Sequence, residues 1–308
     1  MPEGRVIRTV GPNYIVLING ESIVCSVRKS VKESAEIELS PVIVGDQVEI
    51  EIDEITPSEG KLRTGVITEV KPRQTVFLKR RARFKYEKAQ AVVANIDQMI
   101  IVGAVKEPQF KMRLIDRFLI AAQQGGMSPL IVINKIDLEH DLDINRIRTI
   151  YATIGVDVIT ASAKIGLDID TVREKLRDRE SVFVGQSGVG KSSLLNAIQP
   201  GFSLRVGDVS GKTGKGTHTT TNIELFPLDT GGYVVDTPGL RALGLTNLNR
   251  DNIDRFYAEI SEAAHNCKFS DCTHRSEPSC AVKQAVKENR IFPERYESYL
   301  RILDDFEE

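Results

Sequence analysis

Apolar and polar positions alternate along Val6–Val10, Tyr14–Ile18, Ser22–Val27, Gln47–Ile52 and Gly65–Val70, the period-two signature of half-buried strands. Turn residues at Gly11-Pro12, Asn19-Gly20, Gly45-Asp46 and Ser58-Glu59-Gly60 separate these runs. Five strands packed this closely predict a small Greek-key barrel of the OB type. From about residue 92 the pattern changes. The apolar runs Gln98–Val102, Pro129–Ile133, Val156–Thr160, Ser181–Val184 and Tyr233–Val235 lack polar alternation. Between the first two lies a helical period, with Phe110, Leu114, Ile115, Phe118, Leu119 and Ala122 on one face. Such runs read as buried strands and, with the helical run between them, predict an α/β unit. Two helices are expected near the C-terminus, over Ala281–Asn289 and Pro293–Phe306. The expected fold is therefore multi-domain: an all-β barrel over 1–75, a linker over 76–88, an α/β domain over 89–245 and a small, mainly helical domain over 246–308.

Chemistry enters at the strand ends. Ser181–Val184 runs into Gly185-Gln186-Ser187-Gly188-Val189-Gly190-Lys191-Ser192-Ser193 and then a helical run, the context a phosphate-binding loop needs. Its glycines let backbone N–H groups turn inward around phosphate oxygens, Lys191 can reach the β- and γ-phosphates, and the Ser192 hydroxyl can ligate Mg²⁺. Pro129–Ile133 runs into Asn134-Lys135-Ile136-Asp137, the N-K-x-D pattern of guanine recognition. Asp137 can accept from guanine N1–H and the 2-amino group, a pair of donors adenine does not offer. The run Val156–Thr160 leads to Ser162-Ala163-Lys164, which matches the loop whose backbone N–H meets guanine O6. Tyr233–Val235 delivers Asp236-Thr237-Pro238-Gly239, where Asp236 would hold Mg²⁺ through water and the Gly239 N–H would meet the γ-phosphate. The Gly- and Lys-rich stretch Ser203–Thr221 has no apolar period and suits a first switch loop. Within it, Thr219 or Thr220 would be a second Mg²⁺ ligand. Guanine motifs thus precede phosphate motifs, the reverse of the usual GTPase order, which predicts a circularly permuted P-loop GTPase domain.

Composition then narrows the choices. A net charge of -2 does not mark a nucleic-acid binder as a whole. Residues 71–88, however, hold eight Lys/Arg against Glu87 alone, either a solvated linker or a phosphate-neutralising arm. Residues 1–70 carry 7 Lys/Arg, 12 Asp/Glu and a single aromatic, Tyr14, a poor base-stacking platform. Three of the four cysteines crowd between 267 and 280. Cys267, Cys272, His274 and Cys280 provide three thiolates and one imidazole, a closed tetrahedral set that suits one structural Zn²⁺. No run approaches the ~18 apolar residues of a membrane span and the N-terminus lacks an apolar signal segment, so a cytoplasmic protein without membrane contact is expected.

These motifs, with His218-Thr219-Thr220-Thr221 and Cys272-Thr273-His274-Arg275-Ser276-Glu277-Pro278, closely resemble the RsgA (YjeQ/YloQ) family of circularly permuted GTPases over nearly the whole chain. The resemblance implies a late biogenesis factor that binds the small ribosomal subunit, contacts its rRNA through both flanking domains, and hydrolyses GTP to GDP in a subunit-stimulated manner; a monomer is expected. Leu240 stands where many GTPases place a water-orienting glutamine, and the family's candidate for the missing catalytic group matches His218. Thr217 stands where an arginine often precedes that histidine. Two rivals remain in view: a nucleotide-gated rRNA-binding protein whose hydrolysis is incidental, and a P-loop ATPase, which Asp137 and the Ser162-Ala163-Lys164 loop disfavour.

Overall fold

The computed structural model describes residues 1–34, 40–53, 62–80, 89–202, 223–236 and 252–306. The alternating runs fold into β1 (Glu3–Val10), β2 (Asn13–Ile18) and β3 (Glu21–Val27), followed by α1 (Lys29–Ser34), β4 (Gln47–Ile52) and β5 (Arg63–Val70). The strand order β1-β2-β3-β5-β4, with β4 pairing back onto β1, closes the barrel. Its alternating apolar positions, Val6, Val16, Ile23, Cys25, Val48, Ile50 and Ile67 among them, form one interior cluster. Cys25 is a buried strand residue, and burial pushes its thiol up to about 12.

The stretch expected to be a linker begins as a strand. β6 (Val76–Arg80) pairs antiparallel with β7 (Ala89–Ala94), so the basic run is flanked by the arms of a hairpin. Phe77, Ala91 and Val93 are buried, and it is their apolar side chains that turn a charged run into paired strand. The residues between the arms, 81–88, lie outside the described residues.

The α/β unit follows with β8 (Gln98–Ala104), α2 (Met112–Gly125), β9 (Ser128–Asn134), α3 (Ile144–Ala152), β10 (Asp157–Thr160), α4 (Ile169–Leu176), β11 (Arg179–Val184), α5 (Lys191–Ile198), β12 (Glu224–Pro227) and β13 (Gly232–Asp236). The sheet runs β10-β9-β8-β11-β13-β12. Only β12 is antiparallel to its neighbour. Successive residues of β8 serve opposite cores: Met99 and Ile101 pack with the α2 and α3 residues Phe118 and Ile147, while Ile100 and Val102 pack with the α4 and α5 residues Val172 and Leu195. This two-sided burial is the reason the run carries no polar alternation.

β1 also belongs to this sheet. Glu3, Gly4 and Arg5 close the barrel against Glu49, Val48 and Gln47, whereas Arg8 pairs with Glu224 of β12. Opposite, the β1–β2 register shifts between Val6 and Arg8, leaving Ile7 as the extra residue of a β-bulge. Val6 lies in the barrel core, and Ile7 packs against the core of the α/β unit.

The last segment contains α6 (Ala258–Ala264), α7 (Ala281–Lys287) and α8 (Pro293–Asp304). Its core of Ile253, Tyr257, Val282, Tyr299, Ile302 and Leu303 includes Ile120 of α2. Ile120 lies outside the apolar face read from the sequence, because α2 has two buried sides. The second side carries charge as well. Asp116 of α2 is 1% exposed and pairs with Arg295 of α8, 3% exposed. Arg295 also bonds Glu259 at 2.7 Å, lies 4.4 Å from the Tyr257 ring centroid, and the Tyr151 hydroxyl donates to Asp116 at 2.9 Å. Among the described residues no helix is long and apolar enough to cross a membrane.

Candidate functional site

Parallel strands aim their carboxyl ends at one edge, and the sequence motifs begin at those ends. The chain leaves β8 toward β9 and β10 on one side, and leaves β11 toward β13 on the other. Such a divergence opens a crevice between β8 and β11, and the loop Gly185–Gly190 follows β11 there. Gly185, Gly188 and Gly190 all have positive φ, and at two of them a Cβ would also collide with its surroundings. Gly185 has φ +146°, and a Cβ on it would stand 2.2 Å from the Val102 carbonyl oxygen; Gly190 has φ +94°, and a Cβ on it would stand 2.4 Å from Asn134 Nδ2. The first is the close approach of the loop to β8. The second is the close approach of the loop to the end of β9.

Asn134 joins all three loops. It is 2% exposed; its Nδ2 donates to the Val189 carbonyl at 2.8 Å, and its Oδ1 accepts from the Ala163 N–H at 3.2 Å. Asn134, Val189 and Ala163, distant in sequence, are therefore joined by hydrogen bonds. Lys135 takes up a left-handed conformation with φ +64° and its amine donates to the Glu107 carbonyl, while Ile136 N–H donates to the Ala161 carbonyl at 3.4 Å. The Ser162 hydroxyl donates to Asp137 Oδ1 at 2.5 Å, and Lys164 Nζ stands 3.9 Å from Asp137 Oδ2. One carboxylate is thus held at the loop junction with hydrogen-bonding capacity to spare, the requirement for reading adjacent donors on a base. Glu107 carries no sequence signal; its role is a carbonyl, which any residue offers.

On the phosphate side, Lys191 folds back to donate to the carbonyls of Gly185 at 2.7 Å and Gln186 at 3.1 Å. Ser192 and Ser193 lie in the first turn of α5, beyond Gln186, Ser187, Gly188 and Val189 of the loop. Asp236 ends β13 on the same edge, paired with Glu224. His218, Thr219, Thr220 and Gly239 lie outside the described residues.

The second constellation lies in the last segment. The ligand atoms of Cys267, Cys272, His274 and Cys280 all lie within 4.8 Å of one another. A tetrahedral zinc with ordinary bond lengths needs about 3.8 Å between sulfurs and about 3.5 Å from sulfur to nitrogen. Here Cys267 and Cys280 sulfurs are 3.9 Å apart, and His274 Nδ1 is 3.6 and 3.4 Å from them. The donor set therefore fits a structural zinc site. Burial holds the His274 imidazole below its usual range, in the neutral form a metal requires, and pushes the Cys272 thiol up to about 12. His265 is exposed and stands outside the cluster. The hydroxyls of Tyr296 and Tyr299 on α8 donate to the His274 and Thr273 carbonyls, at 2.5 and 3.3 Å, and Glu277 accepts from the Thr273 N–H at 2.7 Å.

The family model described as RsgA GTPase matches residues 70–246. The chain is 42% identical to the small ribosomal subunit biogenesis GTPase RsgA of Chlorobaculum parvum, covering 99% of this chain and 98% of that relative. It is 37% identical to the protein of the same name from Bacteroides fragilis strain YCH46, covering 99% and 97%. The crystal structure of YjeQ from Thermotoga maritima aligns with a TM-score of 0.76 at 34% identity, over 99% of this chain and 98% of that one. YloQ, titled a circularly permuted GTPase, aligns with a TM-score of 0.71 at 30% identity, over 100% and 95%. Likeness carried over the full chain, in sequence and in fold, places the protein in the RsgA family of circularly permuted GTPases.

Proposed function

We propose that this GTPase binds the small ribosomal subunit and its rRNA, hydrolyses GTP in a subunit-stimulated manner, and so acts late in small-subunit biogenesis. The observation that carries the reading is the convergence of Asn134, Gly190 and Ala163 at one sheet edge, which unites guanine-type and phosphate-type loops, together with full-length relatives bearing that name.

In this reading Asn134–Asp137 and Ser162–Lys164 take the guanine base, and Gly185–Ser193 with the Gly239 N–H take the phosphates. Ser192, Asp236 and either Thr219 or Thr220 are the residues that would hold Mg²⁺, whose charge when bound offsets that of the phosphates. His218 supplies the group that Leu240 lacks. The protein works as a cytoplasmic monomer divided into domains over 1–75, 89–245 and 246–308, with the basic residues of 76–88 available to RNA phosphates.

Multiple-turnover hydrolysis with and without purified small subunits tests this. Unaided turnover should be slow, about 10⁻⁴ to 10⁻² s⁻¹, and stimulation should be about 10³-fold or more if subunits complete the site. His218→Ala should abolish most of the stimulated turnover with GTP affinity within a few-fold, the mark of a transition-state interaction. Turnover restored by saturating subunits would remove His218 from catalysis. Leu240 supports the second reading, nucleotide-gated rRNA binding, in which subunits bind in a nucleotide-dependent manner without stimulating turnover.

A further inference from the structure

The row of residues that crosses the sheet at Asp236 begins in the barrel. Asp236 pairs with Glu224 across β13 and β12, and Glu224 pairs with Arg8 of β1. Two strand spacings, about 10 Å, separate the backbone of Arg8 from that of Asp236. The Arg8 guanidinium lies 3.5 Å from the Glu224 carboxylate, reinforcing the backbone pairing with a charge pair. One residue earlier, at the bulge, Ile7 packs against the α/β core cluster to which Leu225 and Val235 belong.

The same strand is fixed at its other end. Arg5 pairs with Glu180 at the start of β11, lies 5.4 Å from the Tyr233 ring centroid at the start of β13, and donates to the Asn95 carbonyl at 3.0 Å. Burial pushes the Glu180 carboxyl up, against the opposing pull of Arg5. β1 therefore holds β11 and β13 near their amino ends through Arg5, and β12 in the Asp236 row through Arg8. A bulge is a means of re-aiming a strand, and this one lets a single strand serve two cores.

We propose that β1 sets the register of the β12–β13 hairpin and thereby the place of Asp236, with Ile7 and Arg8 as positioning residues for the Mg²⁺-bound nucleotide state. The proposal rests on the reading of Asp236 as a magnesium-holding residue. It makes the barrel part of the nucleotide machinery, because any force that shifts the barrel shifts β1, and β1 cannot move without straining the pairing that leads to Asp236.

The test uses the full chain and a fluorescent mant-labelled, non-hydrolysable GTP analogue, titrated in Mg²⁺ and again in EDTA, with thermal unfolding as a fold control. Arg8→Glu should reduce the Mg²⁺-dependent gain in affinity about fivefold, the most one cross-strand pair supplies, and leave the EDTA value unchanged. Ile7→Ala should act in the same direction. The exchange Arg8→Glu with Glu224→Arg should recover at least half of the loss, since it restores the charge pair with reversed sense. An unchanged Mg²⁺ gain in both single variants, with only the thermal midpoint lowered, would reduce β1 to packing and overturn the proposal. A wild-type protein whose affinity gains nothing from Mg²⁺ would overturn the magnesium reading itself, and this inference with it, before any variant is compared.

Discussion

At the scale of single residues, the loops proposed to read guanine owe their places to a few hydrogen bonds. Asp137 is held by Ser162 and can still accept further bonds, so Asp137→Asn should exchange GTP for xanthosine triphosphate preference, because an amide donates where the carboxylate only accepts. Competition binding with the two nucleotides checks this; unchanged selectivity for GTP would end the base-reading role. These residues were legible because the motifs fix both residue type and spacing. Glu107 was not, since its contribution is a main-chain carbonyl to Lys135. Nor was the wedge between Gly190 and Asn134, which exists only once β9 and β11 flank β8.

At the scale of elements, the strands and helices followed from apolar period wherever one face alone is buried. That rule found α2 and its first face but not its second buried side, where a charged residue, Asp116, lies. Periodicity counts apolar positions and assigns every carboxylate to solvent. The basic run misled in the same way, since Phe77 and Val93 anchor arms whose charges dominate composition. Removing one member of a buried ion pair commonly costs about 3 to 5 kcal/mol, whereas replacing both by apolar groups can be neutral. Arg295→Met should therefore lower the thermal midpoint strongly, and adding Asp116→Leu should recover much of the loss. Calorimetry of the two variants decides. A single variant as stable as the parent would show that Arg295 contributes no more than an exposed arginine.

At the scale of the whole molecule, α8 and its flanking residues carry ion pairs, among the described residues, that bind the helical unit to the α/β unit. α8 holds the zinc-type loop with Tyr296 and Tyr299, holds α2 with Arg295, and at its ends offers Glu294 to Arg146 at 2.8 Å and the adjoining Asp305 to Arg113 and Arg117. Chelation should thus do more than loosen residues 252–306, because Ile120 and Asp116 of α2 lose their cover. The expected result is a lowered unfolding temperature for the α/β unit with guanine-nucleotide affinity reduced only a few-fold, as no ligand cysteine belongs to the nucleotide loops. Metal uptake should also be steeply pH-dependent. Burial raises the Cys272 and Cys280 thiols, so these groups are protonated in the metal-free protein at neutral pH and must release protons to bind zinc. Affinity should rise with pH across the neutral range, measured against a competing chromophoric chelator; a flat profile would mean the cluster is not thiolate-bound.

The pairing of Arg8 with Glu224 joins residues 216 positions apart, and synthesis delivers them in that order. At about 5 to 20 residues per second, the barrel strand waits some 10 to 40 s for its partner to be made. During that interval the barrel can close on itself through Glu3–Arg5 and β4, but the later half of β1 has an open edge. Arginine on such an edge discourages pairing with a stranger. Arg8, which in the folded molecule fastens β1 to β12, is the charge carried by the half of β1 that β4 leaves uncovered.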